Sequence, residues 1–178
     1  MSTILVAYFS ATGTTARVAH QLAEAAGADL YAIRPARPYS AADLNWHDRQ
    51  SRSSREMADA SCRPALADAV PDMAAYAAIF VGFPLWWYQA PRIIETFVQS
   101  RDFSGKTFIP FATSGGSPLG ESGAILEKLC PGSRWLAGRR LDVGISAAAL
   151  RGWLRELGMA PGEKLYSEYY GEVSDYTH

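Results

Sequence analysis

Three runs, Thr3–Phe9, Ala77–Phe83 and Lys106–Ala112, hold β-branched, aliphatic and aromatic residues that do not alternate with polar ones. A strand with one wet face alternates, and a strand covered on both faces does not, so the runs describe a parallel sheet buried between two layers. The first run is far short of the roughly 18 apolar residues a membrane span needs. It has no charged leader before it and leads directly into a glycine loop. It therefore reads as a first strand rather than a signal peptide, an expectation that favours the cytoplasm.

Helical text separates the runs. Thr15–Ala26 places Val18, Ala19, Leu22 and Ala26 on one face and stops at Gly27. Leu30–Ile33 is a short second strand ended by Pro35. Pro91 opens a helix through Ile93, Ile94, Phe97 and Val98. Ser122–Leu129 is helical and Leu141–Val143 is the expected fifth strand. Ser146 caps a last helix with Leu150, Trp153, Leu154 and Leu157 on one side, closed by Gly158. Strands alternating with helices specify an α/β fold: a three-layer, doubly wound, five-stranded parallel sheet. A chain of 178 residues is about one such domain. Pro35–Asp72 is a polar insertion, rich in Arg, Ser and Asp, expected to carry one or two exposed helices.

Ligands in such sheets bind beyond the carboxyl ends of the strands, and three loops there carry suitable chemistry. Ser10-Ala11-Thr12-Gly13-Thr14-Thr15 offers hydroxyls and backbone amides at a helix start, where negative charge is favoured. It has neither the lysine of a triphosphate loop nor a GxGxxG pattern, so a phosphate monoester fits best; a capped helix start would use similar residues. Pro84-Leu85-Trp86-Trp87-Tyr88 puts three consecutive large aromatics after a strand, more than the core can absorb, which makes a stacking platform or a packing surface. Thr113-Ser114-Gly115-Gly116-Ser117 lets backbone approach a planar ligand and offers free amides to ring carbonyls. The three occur in register, each after a strand.

With Tyr8-Phe9-Ser10-Ala11-Thr12-Gly13-Thr14-Thr15, Gly82-Phe83-Pro84-Leu85-Trp86-Trp87, Phe103-Ser104-Gly105-Lys106 and Phe111-Ala112-Thr113-Ser114-Gly115-Gly116-Ser117, the chain resembles the flavodoxin family, in its variant with a long insertion after the second strand. The resemblance runs from Thr3 to about Met159. It implies the strand order 2-1-3-4-5 and residues 1–159 as an FMN-binding domain with its insertion at 35–72. It implies FMN with its phosphate at Ser10–Thr15 and its isoalloxazine between Pro84–Tyr88 and Thr113–Ser117; Trp86, Trp87 and Tyr88 are all candidates for the stacking ring. The implied function is electron transfer with a redox partner protein. The alternative is an NAD(P)H-dependent FMN oxidoreductase of quinone-reductase type, taking nicotinamide and quinone as small-molecule partners, as a monomer or homodimer. A third, non-catalytic reading is an FMN store or sensor.

Net charge of −1 and a pI near 6.3 argue against a nucleic-acid binder. They also set the chain apart from strongly acidic electron carriers. No carboxylate and no glycine lie between Pro84 and Pro91. The first absence predicts a less negative potential for bound FMN; the second shifts weight toward hydride transfer. Cys62 and Cys130 are far apart and expected as reduced thiols, and scattered His20, His47 and His178 suggest no metal site. Trp46 is read as an anchor of the insertion to the core, with a position over the flavin or over Trp86 as the alternative. Arg49, Arg52 and Arg55 are read as a solvated helix face rather than a nucleotide-phosphate site. Residues 160–178 lie outside the resemblance: a tail that is disordered, partner-binding or appended for expression.

Overall fold

A computed structural model describes residues 3–114, 116 and 118–161. Six strands form one parallel sheet: β1 (Ile4–Tyr8), β2 (Asp29–Ala32), β3 (Ala78–Pro84), β4 (Thr107–Thr113), β5 (Arg134–Trp135) and β6 (Arg139–Arg140). The order is β2-β1-β3-β4-β5, with β6 also paired to β4, so β5 and β6 share the fifth position. The doubly wound expectation holds.

Alternate residues of the central strands feed two cores, which is why their sequences do not alternate. Leu5, Ala7, Ile79, Val81, Phe83 and Phe108 face one layer, built by α3 (Arg92–Val98) and α4 (Ser122–Leu129). Val6, Phe80, Ile109 and Phe111 face the other, built by α1 (Thr14–Ala26) and α5 (Ala147–Glu156), where Val18, Leu22, Leu150 and Trp153 are buried. Each buried side chain of this size contributes about 1.5–3 kcal/mol over its exposed state. Ser146 caps α5, its hydroxyl accepting from the Ala149 amide at 3.0 Å.

The fifth strand is not at Leu141–Val143; it lies earlier and is split. The Leu136 amide donates to Phe108 O at 2.9 Å and the Leu141 amide to Ala112 O at 2.8 Å. Residue 110 lies between those two acceptors on the same side of β4, and it is a proline with no N–H to give. The chain bulges there, and Gly138 passes so close that a Cβ would stand 2.0 Å from Pro110 O.

The insertion is pinned rather than free. Its helix α2 (Arg52–Ala58) is capped by Ser51, and Arg52, Ser53 and Glu56 are buried, against the expectation of exposed helices. Arg52 Nε donates to Glu56 Oε2 at 3.0 Å and its Nη1 to Arg37 O at 2.7 Å, with its guanidinium 3.8 Å over the Tyr39 ring. The Tyr39 hydroxyl donates to Glu56 Oε1. Buried Arg92 of α3 reaches Met57 O at 2.8 Å and Glu95 at 3.0 Å; Glu95 also receives Arg63 at 2.7 Å. Arg52 therefore belongs to a buried charge network, while Arg49 and Arg55 are exposed. The polar stretch from 35 to 72 thus folds onto the domain through these buried contacts. Cys62 and Cys130 are free thiols, and burial is the first cause pushing each of them up. Of the expected tail, residues 162–178 lie outside the described residues.

Candidate functional site

The three loops meet at the carboxyl edge of the sheet. Pro84 and Thr113 are register partners across β3 and β4, and the Leu85 amide donates to Thr113 O at 3.2 Å. Thr15 Oγ1 and Thr113 Oγ1 lie 2.7 Å apart, both side chains buried, which ties the first loop to the third. Those two hydroxyls are engaged with each other.

In the first loop the Ser10 hydroxyl accepts from the Gly13 amide at 3.1 Å. Gly13, at φ 98, is the N-cap of α1, and no side chain caps that helix. The first amides of a helix lack intrahelical partners and the dipole adds positive potential, so an uncapped start attracts an anion. A Cβ at Gly13 would meet nothing within 4 Å, so the approach is open. Thr12, Gly13 and Thr14 are exposed, as an anion-facing turn must be.

Ala11 and Thr12 also line a cavity of about 520 Å³, together with Pro84, Leu85, Trp86, Trp87 and Tyr88. The aromatic loop turns tightly: the Trp86 amide donates to Gln89 O at 2.9 Å and the Gln89 amide to Trp86 O at 3.1 Å. Its two central residues, Trp87 (φ 49) and Tyr88 (φ 63), are both left-handed. Such hairpin turns normally take Asn-Gly, so two bulky aromatics there hold local strain. Gly120, itself at φ 61, lies beneath the turn, where a Cβ would come 2.7 Å from Tyr88 O. Trp86 differs from its neighbours: its indole packs edge-on against Phe9 at 5.8 Å and Tyr39 at 5.4 Å. Trp87 and Tyr88 remain 43% and 66% exposed.

The opposite wall comes from the insertion: Leu44, Trp46 and Ser53 complete the cavity lining. Trp46 is 65% exposed and stacks on His47 at 3.6 Å, so it does not anchor the insertion to the core. Leu44 and Ser53 carry no sequence signal for this role. They arrive because α2 docks through its buried charges. Tyr39 lies under Trp86, and burial first, then its hydrogen bond to Glu56, pushes its phenol far above the ordinary range.

Ser10 and Ala11 line a second hollow of about 410 Å³ on the β2 side, with Arg34, Pro35 and Tyr39. Of the third loop, the Ser114 hydroxyl accepts from the Gly116 amide at 3.4 Å, and Arg140 Nη1 lies 3.5 Å from Ser114 O. Neither Thr113 nor Ser114 lines the larger cavity, and Gly115 and Ser117 lie outside the described residues. Among the described residues no group of His, Cys, Asp and Glu is placed to hold a metal, and no helix is long and apolar enough to cross a membrane.

The family model described as flavodoxin matches residues 3–157. A crystal structure of a protein assigned as a flavoprotein from Bacteroides eggerthii superposes with a TM-score of 0.83 at 50% identity, covering 87% of this chain and 97% of that one. A second, from Bacteroides uniformis, gives 0.82 at 52% identity over 85% and 97%. A flavoprotein from Lactobacillus acidophilus, crystallised with FMN, shares the fold at 18% identity, with a TM-score of 0.63 over 77% of this chain and 91% of that one. No curated protein matches the chain.

Proposed function

The chain belongs to the flavodoxin family, and on that premise we propose that it is an FMN-binding electron-transfer protein. FMN, when bound, supplies reversible one- or two-electron redox chemistry. One observation carries the reading: the uncapped start of α1 lies beside a cavity walled by aromatic rings, with no Asp, Glu, Lys, Arg or His among the described residues of its lining. That pairing suits a ligand with a phosphate at one end and a flat apolar ring at the other.

In this reading the amides after Gly13, with the Ser10, Thr12 and Thr14 hydroxyls, take the phosphate. The exposed rings of Trp87 and Tyr88 are the stacking faces, because Trp86 is already committed to Phe9 and Tyr39. Thr15 and Thr113 serve by holding the first and third loops together. Ser114–Ser117 supply backbone amides to the ring's polar edge. The reading places the protein in the cytoplasm, as a monomer or homodimer, with a redox protein as partner.

The colour of the purified protein tests it. A yellow protein that releases FMN on denaturation supports the assignment; a colourless one that added FMN does not reconstitute overturns it. The second reading, an NAD(P)H-dependent FMN oxidoreductase, is favoured by the wall that Leu44, Trp46 and Ser53 add, since a carrier serving proteins needs no such enclosure. Steady-state oxidation of NADH or NADPH with a quinone separates the two.

A further inference from the structure

Trp86 faces two ways. It lines the cavity, and behind it lie two rings, Phe9 at 5.8 Å and Tyr39 at 5.4 Å. Phenylalanine holds its electrons too tightly to pass one on, whereas tryptophan and tyrosine are the oxidisable aromatic side chains. An oxidising equivalent that reaches Trp86 from the cavity therefore has one ring to move to, Tyr39. Tyrosine gives up an electron readily only when its hydroxyl proton has an acceptor in place, because the oxidised ring is a strong acid.

That acceptor is present. The Tyr39 hydroxyl donates to Glu56 Oε1, and Glu56 is a buried carboxylate whose other oxygen accepts from Arg52 Nε at 3.0 Å. The Arg52 guanidinium stands 3.8 Å over the Tyr39 ring. A cation at that distance opposes positive charge on the ring, so electron and proton must leave together. Burial first, then the bond to Glu56, keeps the phenol protonated at neutral pH, so the proton is there to be passed. The other tyrosines lack one part or another. Tyr88 lines the cavity, but among the described residues its hydroxyl is not bonded to a carboxylate. The Tyr76 hydroxyl donates to Asp29 Oδ2 at 2.7 Å, but Tyr76 is not part of the cavity lining. Among the described residues Tyr39 alone joins a carboxylate to a ring that lines the cavity.

We propose that Trp86, Tyr39 and Glu56 form a proton-coupled relay that draws a one-electron oxidising equivalent out of the cavity and settles it on Tyr39. The oxidant is a photo-excited flavin, which gains one electron from Trp86. Trp86 is refilled by one electron from Tyr39, and the Tyr39 O–H bond breaks as its proton moves to Glu56 Oε1. The pair is left as a neutral tyrosyl radical beside a protonated carboxyl group; return of the electron and the proton restores the starting state. Trp87 and Tyr88 are oxidisable too, but among the described residues the cavity lining holds no carboxylate to take their proton, so the equivalent drains to Tyr39. The inference rests on the FMN reading for its oxidant, and it gives Tyr39 and Glu56 an activity that FMN binding does not require.

Time-resolved electron paramagnetic resonance of the FMN-loaded protein after a blue-light flash tests it, with FMN uptake measured first from the absorbance of the bound flavin. The expected result is a tyrosyl radical, identified because ring-deuterated tyrosine narrows its signal. It should form more slowly in heavy water than in ordinary water, since a proton moves with the electron. Tyr39→Phe should abolish that radical and leave a tryptophanyl one. Glu56→Gln keeps the shape of the side chain but its amide takes no proton, so tyrosyl formation should slow by about tenfold or more. The heavy-water comparison uses the original chain and stands whether or not Glu56→Gln folds. A tyrosyl radical that persists in Tyr39→Phe, that Tyr88→Phe removes instead, that forms undiminished in folded Glu56→Gln or that ignores heavy water overturns the relay. So does an FMN-loaded chain that gives no tyrosyl radical. A chain that takes up no FMN is a different failure, seen in the first measurement, and removes the functional reading together with this one.

Discussion

Thr15 and Thr113, 98 positions apart in the chain, meet hydroxyl to hydroxyl at 2.7 Å in the interior. One donates and the other accepts, and the pair clamps the start of α1 to the end of β4. Replacing either with valine leaves a buried hydroxyl without its partner, at a cost of about 1–3 kcal/mol, whereas replacing both removes the mismatch. Urea unfolding is therefore expected to show Thr15→Val and Thr113→Val each destabilised and the double variant close to the original. FMN affinity should fall in all three, because the clamp between loops is lost in each.

The aromatic turn makes the opposite trade. Trp87 and Tyr88 occupy left-handed conformations that cost non-glycine residues about 1–2 kcal/mol each. Tyr88→Gly is expected to raise the unfolding free energy of the flavin-free protein by about 1 kcal/mol while weakening FMN binding. A variant that loses stability as well as affinity contradicts the strain account. Gly120→Ala should lower both, since its Cβ would press on Tyr88 O.

The uncharged cavity lining fixes the direction of an electrostatic experiment. Electrons added to a flavin are resisted by nearby carboxylates, and among the described residues none lines the cavity. The potential of bound FMN is expected to be less negative than in acidic carriers. Leu44→Glu should lower it by about 30 mV or more, the equivalent of about 1.4 kcal/mol for a two-electron couple. A redox titration that finds the variant unmoved, or the original chain as low as acidic carriers, rejects this.

Tyr39 gives a pH signature. Burial, and donation to Glu56, hold its phenol above its ordinary value of 10.0 in the folded state. A raised folded pKa means stability that is complete below pH 10.0 and declines as pH rises beyond it, because the unfolded chain then loses a proton the folded one keeps. Tyr39 alone should contribute a slope of up to about 1.4 kcal/mol per pH unit there, and Tyr39→Phe should remove one proton's worth of that dependence. Chemical denaturation between neutral and strongly alkaline pH measures it; Tyr31 and Tyr76, also raised, add to the slope in both proteins.

The central sheet was legible in the sequence because its physics is local. Seven-residue apolar runs without alternation have few other homes, and the boundaries found at Ile4–Tyr8, Ala78–Pro84 and Thr107–Thr113 differ from the expected ones by a residue. The two-residue strands β5 and β6 leave no run to read, and Leu141, next to them, is a core residue without being a strand. The insertion failed for another reason. Arg52 and Glu56 spell the same text whether they face water or each other, and only the docking against Arg92 and Tyr39 decides. Because that docking was not visible, neither was the arrival of Leu44, Trp46 and Ser53 at the cavity.

The break at Pro110 has a further consequence. An open sheet ends in rows of unpaired backbone groups that can recruit a strand from another molecule. Here one margin is the four-residue β2, and the other is interrupted into two pieces of two residues. Neither offers a long, straight template. The proline that costs the fold a hydrogen bond also keeps the sheet from growing beyond its own chain.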